Sequence, residues 1–537
     1  MGAATHSVEN QPPEFTARDL WSDDLPLREA VKREGGAGFA DAVAAYGALA
    51  GGELLALSGD AHRDRPRLRT HDRFGRRIDT VEFHPHYHRI MQAAIGGGVG
   101  GLSWARPEPG AHVARAALSY LHYQAEPGSS CPLTMTHAAV PVLAREPALR
   151  EWCGKVAACR YDPRDLPIAD KQGVTLGMGM TEKQGGSDVR ANATTATPEG
   201  GDYLLRGHKW FFSAPMSDGF LVLAQAPGGL TCFLMPRRLP DGDLNGFRLV
   251  RLKDKLGDWS NASSEIEFDA ARAWRIGDEG RGVATILQMV MLTRLDCMLG
   301  SAGLMRMALS QALHHCRHRK AFGRVLLDQP LMRNVLADLA IEAEAALALS
   351  MRVARAVDAA PRDPAEAAFA RVATAIGKFW VCKRAPAFVN EAQECLGGAG
   401  YVEESLLPRL YRQAPLNSIW EGSGNIQCLD VLRALSREPG AGAALLARLE
   451  AASGRDADFD AGLDRLRRTL ASSPEEADAR RLVAAMAVQL QAAVLLEAGN
   501  PIAGAFCRSR LGGTAAVYGA LDPSTGFDRV LERAGGG

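Results

Sequence analysis

Two stretches of this sequence decide its fold: Met178-Gly-Met-Thr-Glu-Lys-Gln-Gly-Gly-Ser-Asp-Val189 and, about half the chain downstream, Ile419-Trp-Glu-Gly-Ser-Gly-Asn-Ile426. The first stretch places hydroxyls and backbone donors on a glycine-rich loop, which is suited to holding a polar cofactor. The second stretch offers one carboxylate, Glu421, followed by glycines that let backbone amides approach a ligand closely. We therefore expect one site that is built from two domains.

Four further motifs complete the pattern: Gly207-His-Lys-Trp-Phe-Phe-Ser213, Arg319-Lys-Ala-Phe-Gly323, Gln329-Pro-Leu-Met332 and Leu396-Gly-Gly-Ala-Gly-Tyr401. In this order the motifs resemble the acyl-CoA dehydrogenase superfamily of flavoproteins, and the resemblance covers nearly the whole chain. The sequence is most similar to a branch of the superfamily that acts in the DNA alkylation response. The motifs that resemble this branch are Thr181-Glu-Lys-Gln-Gly185, Leu252-Lys-Asp-Lys-Leu-Gly257, Asn417-Ser-Ile-Trp-Glu-Gly422 and the opening Asn10-Gln-Pro-Pro13.

The composition is that of an ordinary globular protein, with 47% hydrophobic and 23% charged residues. A chain of 537 residues can hold three or four domains. The sequence contains neither an uninterrupted apolar run of the ~20 residues that cross a bilayer nor a signal-peptide pattern, which predicts a cytoplasmic protein with no membrane partner. The 62 basic residues balance 62 acidic ones, which argues against a broadly basic nucleic-acid binder, so DNA binding would need a local patch.

No metal site or nicotinamide-binding fold is predicted. The ten cysteines include no Cys-x-x-Cys pair, and the histidines of His84-Pro-His86-Tyr-His88 have no adjacent carboxylate or cysteine. The run Gly96-Gly-Gly-Val-Gly-Gly101 matches G-x-G-x-x-G formally. However, the preceding residues have helical spacing and no βαβ unit follows, so a Rossmann fold is not favoured.

The pattern along the chain predicts a mainly α protein with a central β domain. Helical spacing prevails up to residue 173, short strand-like runs occupy 174–278, and long helical periods return over 279–438. A Pro-Gly break then opens a fourth, helical segment at 439–537. The resemblance implies the same order: an N-terminal arm and helical domain (1–173), a flavin-binding β-barrel or sandwich, a four-helix bundle, and a C-terminal helical extension.

The resemblance also implies FAD as the cofactor. In the β domain it assigns the flavin ring and the pyrophosphate side to Met178, Met180, Thr181, Ser187, Phe211, Phe212 and Ser213. In the bundle it assigns the cofactor to Arg319, Phe322, Gln329, Gly397, Gly398, Ile419, Trp420, Gly422, Ser423 and Asn425. Because the arginine at position 319 contacts FAD across a subunit boundary in the family, we expect a homo-oligomer, most simply a homotetramer.

Glu421 occupies the position of the family's catalytic base. Desaturation of an acyl thioester needs a base to remove the α-proton while the β-hydrogen leaves as hydride to the flavin. A carboxylate can act in this way when burial raises its pKa and hydrogen bonds acidify the α-carbon. The alternative from the residues alone is a carboxylate that caps a helix or pairs with an arginine.

The resemblance further implies double-stranded DNA as a partner, bound without sequence specificity. Phosphate binding needs arginines gathered on one outer surface. We select four of them as candidates: Arg433, Arg437, Arg508 and Arg510. The sequence alone favours a different interpretation, in which these arginines pair with nearby acidic residues on solvated helices.

Three functions therefore compete. The first is a DNA-associating flavoprotein of the alkylation response that retains an acyl-CoA dehydrogenase site. The second is a metabolic dehydrogenase that oxidises an acyl-CoA to the 2,3-enoyl-CoA, with a C-terminal extension that only supports oligomer packing. The third is a DNA-shielding protein in which FAD is a structural ligand.

Overall fold

The structure is a computed structural model that describes residues 5–16, 18–472, 475–513 and 517–536. It divides into two compact units. One unit comprises Gly36–Asp296, and the other comprises Met1–Gly35 together with Cys297–Gly537. The division falls within one long helix, so each unit contains a part of it.

The N-terminal part is helical with one β-hairpin. Its helices are α1 (Leu25–Arg33), α2 (Ala40–Leu49), α3 (Leu55–Arg63), α4 (Pro85–Gly96), α5 (Leu102–Ala105), α6 (Ala111–Ala125), α7 (Ser130–Leu143) and α8 (Arg150–Ala157). Strands β1 (Arg67–His71) and β2 (Arg77–Glu82) pair antiparallel. The sequence pattern predicts only helices in this region, because arginines on alternate positions of β1 hide the apolar alternation that marks a strand.

The central β domain is a closed barrel. Its strands are β3 (Leu176–Gly179), β4 (Thr195–Glu199), β5 (Asp202–Ser213), β6 (Gly219–Ala226), β7 (Gly229–Pro236), β8 (Phe247–Leu252) and β9 (Ser263–Ile276). The ring closes because β6 pairs with both β4 and β7, and β9 joins β5 to β7. β3 extends β6 in parallel, and β8 pairs with β9. Aromatic side chains fill the interior, which confirms the predicted β domain.

The second unit is built on long helices. They are α9 (Gly282–His318), α10 (Pro330–Ala359), α11 (Pro364–Leu396), α12 (Leu407–Gln413) and α13 (Gly424–Arg437), with a short hairpin of β10 (Lys320–Ala321) and β11 (Arg324–Val325) after α9. The helices approach closely at Gly377 of α11, where an added Cβ would lie 2.2 Å from the Met298 methyl of α9. This close packing confirms the predicted helical bundle.

The C-terminal extension packs on α10 and α11 of the same unit. Its helices are α14 (Pro439–Glu450), α15 (Ala457–Ala471), α16 (Ala479–Glu497), α17 (Ala503–Cys507) and α18 (Phe527–Leu531). Arg533 forms ion pairs with Glu344 of α10 (2.7 Å) and with Glu29 of α1. All three residues belong to the same unit. The extension is therefore held by ion pairs as well as by apolar packing.

Among the residues that the structure describes, three helical stretches are long and apolar enough to cross a membrane by length and composition alone: Ala37–Arg63, Gly282–His318 and Glu476–Glu497. Sequence analysis counted uninterrupted apolar runs and so found none, whereas these windows tolerate a few charges, such as Arg294 and Asp296. In the second and third stretches 72% of the apolar window is buried inside the protein, and in the first 39%.

Candidate functional site

A buried ion pair between Lys209 and Glu182 anchors the glycine-rich loop that follows β3. Lys209 Nζ donates to Glu182 Oε1 (2.7 Å) and to the Leu223 carbonyl (2.8 Å), and both charged side chains are fully buried. Glu182 also accepts hydrogen bonds from the backbone N–H groups of Ala193 (2.7 Å) and Thr194 (3.2 Å). The pair therefore ties the loop to β5 and β6.

The pKa values of the two partners reflect this burial. For Glu182, burial acts to raise the pKa, but the charge and hydrogen bond of Lys209 outweigh it and lower the pKa to about 2. For Lys209, burial lowers the pKa to about 8 although Glu182 acts to raise it. Sequence analysis did not single out either side chain as a site residue, although both lie within motifs that it quoted.

β5 presents two of the predicted flavin residues and buries the third. Because side chains alternate along a strand, Phe211 and Ser213 share one face and Phe212 points to the other. Phe212 is fully buried, and the centre of its ring lies 4.5 Å from that of Phe220. Its side chain therefore packs in the barrel core and does not reach a cofactor outside the barrel. Phe211 is half-exposed, and Ser213 Oγ lies 3.2 Å from Ser263 Oγ.

The loop residues lie beside this face. The Trp210 backbone N–H donates to the Thr181 carbonyl (2.8 Å), which brings the loop against β5. Met178, Met180 and Thr181 are half-buried, and Ser187 is exposed. Lys253, which the sequence analysis did not select, lies with its Nζ 3.4 Å from the centre of the Trp210 ring and 4.5 Å from that of Phe211. A cation therefore adjoins the aromatic face.

In the other unit, the β10–β11 hairpin displays an aromatic side chain at its tip. Phe322 (φ 51°) and Gly323 (φ 76°) form the two-residue turn, and the Phe322 side chain is 98% exposed. Gln329 Nε2 donates to the Ala321 carbonyl (2.9 Å) and supports the hairpin from behind.

The N-terminal arm contacts the same hairpin. Asn10 makes a two-point contact with the Lys320 backbone, in which its Nδ2 donates to the carbonyl (2.9 Å) and its Oδ1 accepts from the N–H (2.8 Å). Arg319 Nη1 donates to the Asn10 carbonyl (2.6 Å). The Asn10-Gln-Pro-Pro13 motif thus fixes the segment that carries Arg319 and Phe322, a contact that sequence spacing could not reveal.

The end of α11 leaves its backbone open. Gly397 has φ +59°, a conformation that favours glycine, and a Cβ added to Gly397 or Gly398 would meet no atom within 4 Å. A ligand can therefore approach the main chain closely at this turn.

The Glu421 loop has a strained backbone. Glu421 itself has φ +59° and Gly422 has φ +93°, and a non-glycine residue in this region costs on the order of 1–3 kcal/mol. Lys378 of α11 and Gln427 of α13 donate hydrogen bonds to the carbonyls of this loop. Trp420 is fixed by its Nε1, which donates to Asn417 Oδ1 (3.0 Å).

The remaining predicted residues of the loop flank Glu421 in sequence. Ile419 is 62% exposed, Glu421 and Gly422 are half-buried, and Ser423 and Asn425 are exposed. Ser423 is the N-cap residue of α13, and within the described structure its side chain makes no capping hydrogen bond. The hydroxyl of the exposed Ser423 is therefore not used in capping the helix that follows the candidate base.

The four candidate arginines for DNA differ in environment. Arg433 and Arg437 lie one turn apart on the exposed face of α13, and Arg508 is exposed. Arg510, by contrast, pairs with Asp338 and with Glu342 (3.2 Å) of α10, and its side chain is 14% exposed. We assign Arg510 to packing of the C-terminal extension, because its charge is already neutralised.

Matches to protein families agree with this architecture. Residues 10–163 match "Adaptive response protein AidB N-terminal domain", residues 177–271 match "Acyl-CoA dehydrogenase, middle domain", and residues 280–436 match "Acyl-CoA dehydrogenase, C-terminal domain". Together with the similarities given next, these matches show that the chain belongs to the acyl-CoA dehydrogenase family.

The chain is 47% identical over 537 residues to the Escherichia coli K12 protein named "Putative acyl-CoA dehydrogenase AidB". This alignment covers 99% of each chain. It is 33% identical over 401 residues to acyl-CoA dehydrogenase family member 11 of Caenorhabditis elegans, over 72% of this chain and 64% of that one. The structure of Caenorhabditis elegans ACDH-11 in complex with C11-CoA aligns with a TM-score of 0.86 at 27% identity, over 100% of this chain and 93% of that one. Bd2924 in its apo form aligns with a TM-score of 0.83 at 28% identity, over 91% and 99%.

FAD is the cofactor of this family, and the residues of this chain fit it. The β domain offers the half-exposed Phe211 ring with hydroxyls on the same surface, as an isoalloxazine ring requires. The second unit offers Arg319, the open main chain at Gly397 and Gly398, and the fully exposed Phe322 ring.

Proposed function

We propose that this chain is an FAD-dependent acyl-CoA dehydrogenase of the AidB type, with Glu421 as its catalytic base. One observation carries the proposal most directly. This chain belongs to the family, and at the position of the family's base it has a carboxylate, that of Glu421. The backbone of Glu421 is strained, and two buried side chains, Lys378 and Gln427, hold it in place. Strain of this kind persists where the surrounding structure maintains it, which is common at catalytic sites.

The reaction divides the two hydrogens of the acyl chain between two acceptors. Bound FAD supplies the acceptor for the hydride that leaves Cβ. Glu421 removes the proton from Cα, and the electron pair of the Cα–H bond forms the Cα–Cβ double bond of the 2,3-enoyl-CoA. Backbone donors beside Glu421 stabilise the thioester oxygen as charge develops on it.

Acyl-CoA as the substrate class is supported by the family and by the C11-CoA complex of the Caenorhabditis elegans relative. The test is anaerobic mixing of the FAD-loaded protein with acyl-CoAs of short, medium, long and branched chains. We expect at least one of them to bleach the oxidised flavin absorbance. No bleaching with any of them would contradict dehydrogenation and favour FAD as a structural ligand.

The role of Glu421 is tested in the same assay. Replacement of the base with Gln should lower the rate of flavin reduction by about 100- to 10,000-fold while FAD remains bound. Glu404→Gln, which alters an exposed glutamate, is the matched control and should reduce its flavin at the wild-type rate. Unchanged turnover of Glu421→Gln would refute its role.

We further propose that the protein associates with double-stranded DNA in the response to DNA alkylation. The supporting observation is the pair Arg433 and Arg437. The acidic neighbours of this pair, Asp430 and Glu438, are engaged by Arg371 at 2.9 and 3.1 Å. Within the part of the chain that the structure describes, neither Arg433 nor Arg437 forms an ion pair. Two guanidinium groups, one helical turn apart, can therefore bind phosphates.

The DNA proposal is tested by measuring duplex affinity as salt is raised. For the double variant Arg433→Gln/Arg437→Gln, the slope of log affinity against log salt should be smaller in magnitude than that of the wild type by about 2. The reason is that each phosphate contact contributes about 0.9 to this slope. Arg481→Gln is the control, because that exposed arginine already pairs with Asp478 (2.7 Å). No binding of the wild type at low salt would favour a purely metabolic dehydrogenase.

The oligomer and the compartment belong to the same proposal. We propose a cytoplasmic homotetramer, in which partner chains cover apolar side chains such as Phe322 (98% exposed) and Leu331 (82% exposed). Light scattering on the eluting protein measures the assembly, and a monomer at micromolar concentration would contradict it. Cell fractionation tests the compartment, and recovery in the membrane fraction would contradict it.

A further inference from the structure

A lysine in the middle of α11 reaches the main chain on both sides of Glu421. Lys378 Nζ donates to the Trp420 carbonyl (2.7 Å) and to the Gly422 carbonyl (2.5 Å). Only 1% of the Lys378 surface is exposed. The two acceptors flank the candidate base in sequence, so a single ammonium group spans the residue that carries the carboxylate.

This burial is unfavourable for a lysine unless it serves the local structure. A buried charge is normally paired with an opposite charge. Among the residues that the structure describes, however, Lys378 has main-chain carbonyls as its hydrogen-bond acceptors and forms no ion pair. An apolar residue of similar length would fill the same space in the bundle without desolvating a charge, so simple packing does not account for a lysine here.

A second buried side chain completes the arrangement. Gln427 Nε2 donates to the Glu421 carbonyl (3.0 Å) and to the Gly422 carbonyl (2.9 Å). An added Cβ at Gly422 would lie 2.7 Å from this nitrogen, so the close approach requires glycine at that position. Three consecutive carbonyls, from Trp420 to Gly422, are thus held by two side chains.

We propose that Lys378 is a positioning residue for Glu421, and that Lys378 with Gln427 forms a carbonyl clamp that holds the base in its left-handed conformation. The inference deepens the proposed function and rests on Glu421 being the base. It adds the element that fixes the main chain of the residue that carries the carboxylate. Reacting groups must be held closely, since a displacement of about 1 Å can cost about 100-fold in rate.

The first measurement is independent of activity and of cofactor. Lys378→Met removes the charge and the donors but keeps the length of the side chain. We expect amide hydrogen exchange over residues 419–426 to rise by tenfold or more, because the carbonyl clamp no longer fixes the loop. The control is Lys171→Met in the other unit, which also removes a buried lysine that donates to main-chain carbonyls, although this lysine pairs with Asp218 as well (2.8 Å). That control should leave exchange at 419–426 unchanged.

The second measurement separates positioning from binding. In anaerobic single turnovers with an acyl-CoA that bleaches the wild type, Lys378→Met should reduce its flavin about 100-fold more slowly. Its dissociation constants for FAD and for the acyl-CoA should stay within about threefold of the wild type. A wild-type rate, or an equal loss of binding and rate, would overturn the proposal.

Two further outcomes are distinguished. Should Lys378→Met fail to fold, Gln427→Leu removes the other half of the carbonyl clamp and should show the same changes in exchange and rate; wild-type behaviour of Gln427→Leu would overturn the proposal. Should no acyl-CoA bleach the wild type, the proposed function fails, yet increased exchange in Lys378→Met still supports the carbonyl clamp. Unchanged exchange in that variant overturns it whatever the activity.

Discussion

The glycine-rich loop of the β domain and the Glu421 loop of the bundle are each supported by a buried lysine, but the two lysines have different partners. Lys209, under the glycine-rich loop of the β domain, is paired with the carboxylate of Glu182. Lys378, under the Glu421 loop of the bundle, donates hydrogen bonds to the Trp420 and Gly422 carbonyls and has no ion pair among the residues that the structure describes. The first arrangement fixes a loop through a neutral pair, whereas the second leaves a positive charge close to the candidate base.

We relate this difference to the proposed roles of the two loops: the glycine-rich loop binds the cofactor, and the Glu421 loop carries the base. The Glu182–Lys209 pair tolerates no loss of one partner, because the other then stays buried and charged. The carbonyl clamp has no charged partner to abandon, so its loss should affect the geometry of the base more than the stability of the fold. The following predictions test that contrast and the support of the cofactor site, from the largest expected effect to the smallest.

Glu182→Gln should have the largest effect on stability. The change leaves the buried ammonium of Lys209 without a counter-charge, and removal of one partner from a buried ion pair costs about 3–5 kcal/mol. Urea denaturation measures the free energy of unfolding. Glu182→Gln/Lys209→Met should be less destabilised than Glu182→Gln, and a double variant that is less stable than the single one would contradict the account.

Lys378→Met should destabilise the protein by less. The variant leaves the Trp420 carbonyl without its Lys378 donor, while Gln427 still donates to the Gly422 carbonyl, and it leaves no uncompensated charge. A buried group that loses a hydrogen bond costs about 1–3 kcal/mol. The same denaturation measurement applies. A loss of stability as large as that of Glu182→Gln would remove the distinction between the two lysines.

Asn10→Ala should weaken FAD binding by about threefold to tenfold. The exposed side chain of Asn10 holds the hairpin that carries Arg319 and Phe322 through two hydrogen bonds, each worth about 0.5–1.5 kcal/mol. Titration of the flavin-free protein with FAD measures the affinity. Gln11→Ala, on the same exposed arm, is the control, and equal affinities of the two variants would show that the arm does not support the cofactor site.

The smallest effect is a pH dependence. The folded pKa of Glu182, about 2, lies below its ordinary value of 4.5, so its stabilising contribution is present above pH 4.5 and is lost as pH falls towards 2. Between pH 5 and pH 4 the loss should be less than about 1 kcal/mol. Unfolding free energies of the wild type and Glu182→Gln at the two values measure it. The wild type should lose more, and parallel behaviour would contradict the pairing.

The fold was largely predictable from the sequence because its signals are local. Strand-like runs, long helical periods and ordered motifs predicted a helical, β and helical architecture, which the structure and the family matches confirm. The β1–β2 hairpin was missed because its charged residues hide the strand period. Phe212 was assigned to the cofactor by its motif, although the alternation of a strand already places it opposite Phe211.

The supports of the site were not predictable, because they depend on contacts that are remote in sequence. Lys378 lies 42 residues before the nearer carbonyl that it contacts. In the sequence it is one charge in a helical run, and such charges are usually solvated. Asn10 lies 310 residues from Lys320. Arg510 was a candidate DNA contact by resemblance, and the sequence alone favoured pairing with acidic residues. Only the structure shows that its partners are Asp338 and Glu342 of α10, far away in sequence.

The central claim is that Glu421 is a base held ready to remove an α-proton. The most direct test uses an acyl-CoA whose β-carbon carries no hydrogen, so that dehydrogenation is impossible and proton transfer is observed alone. In D2O the FAD-loaded wild type should exchange the α-protons for deuterium, as followed by mass spectrometry, and Glu421→Gln with the same FAD content should not. Equal exchange by the two proteins would contradict the account.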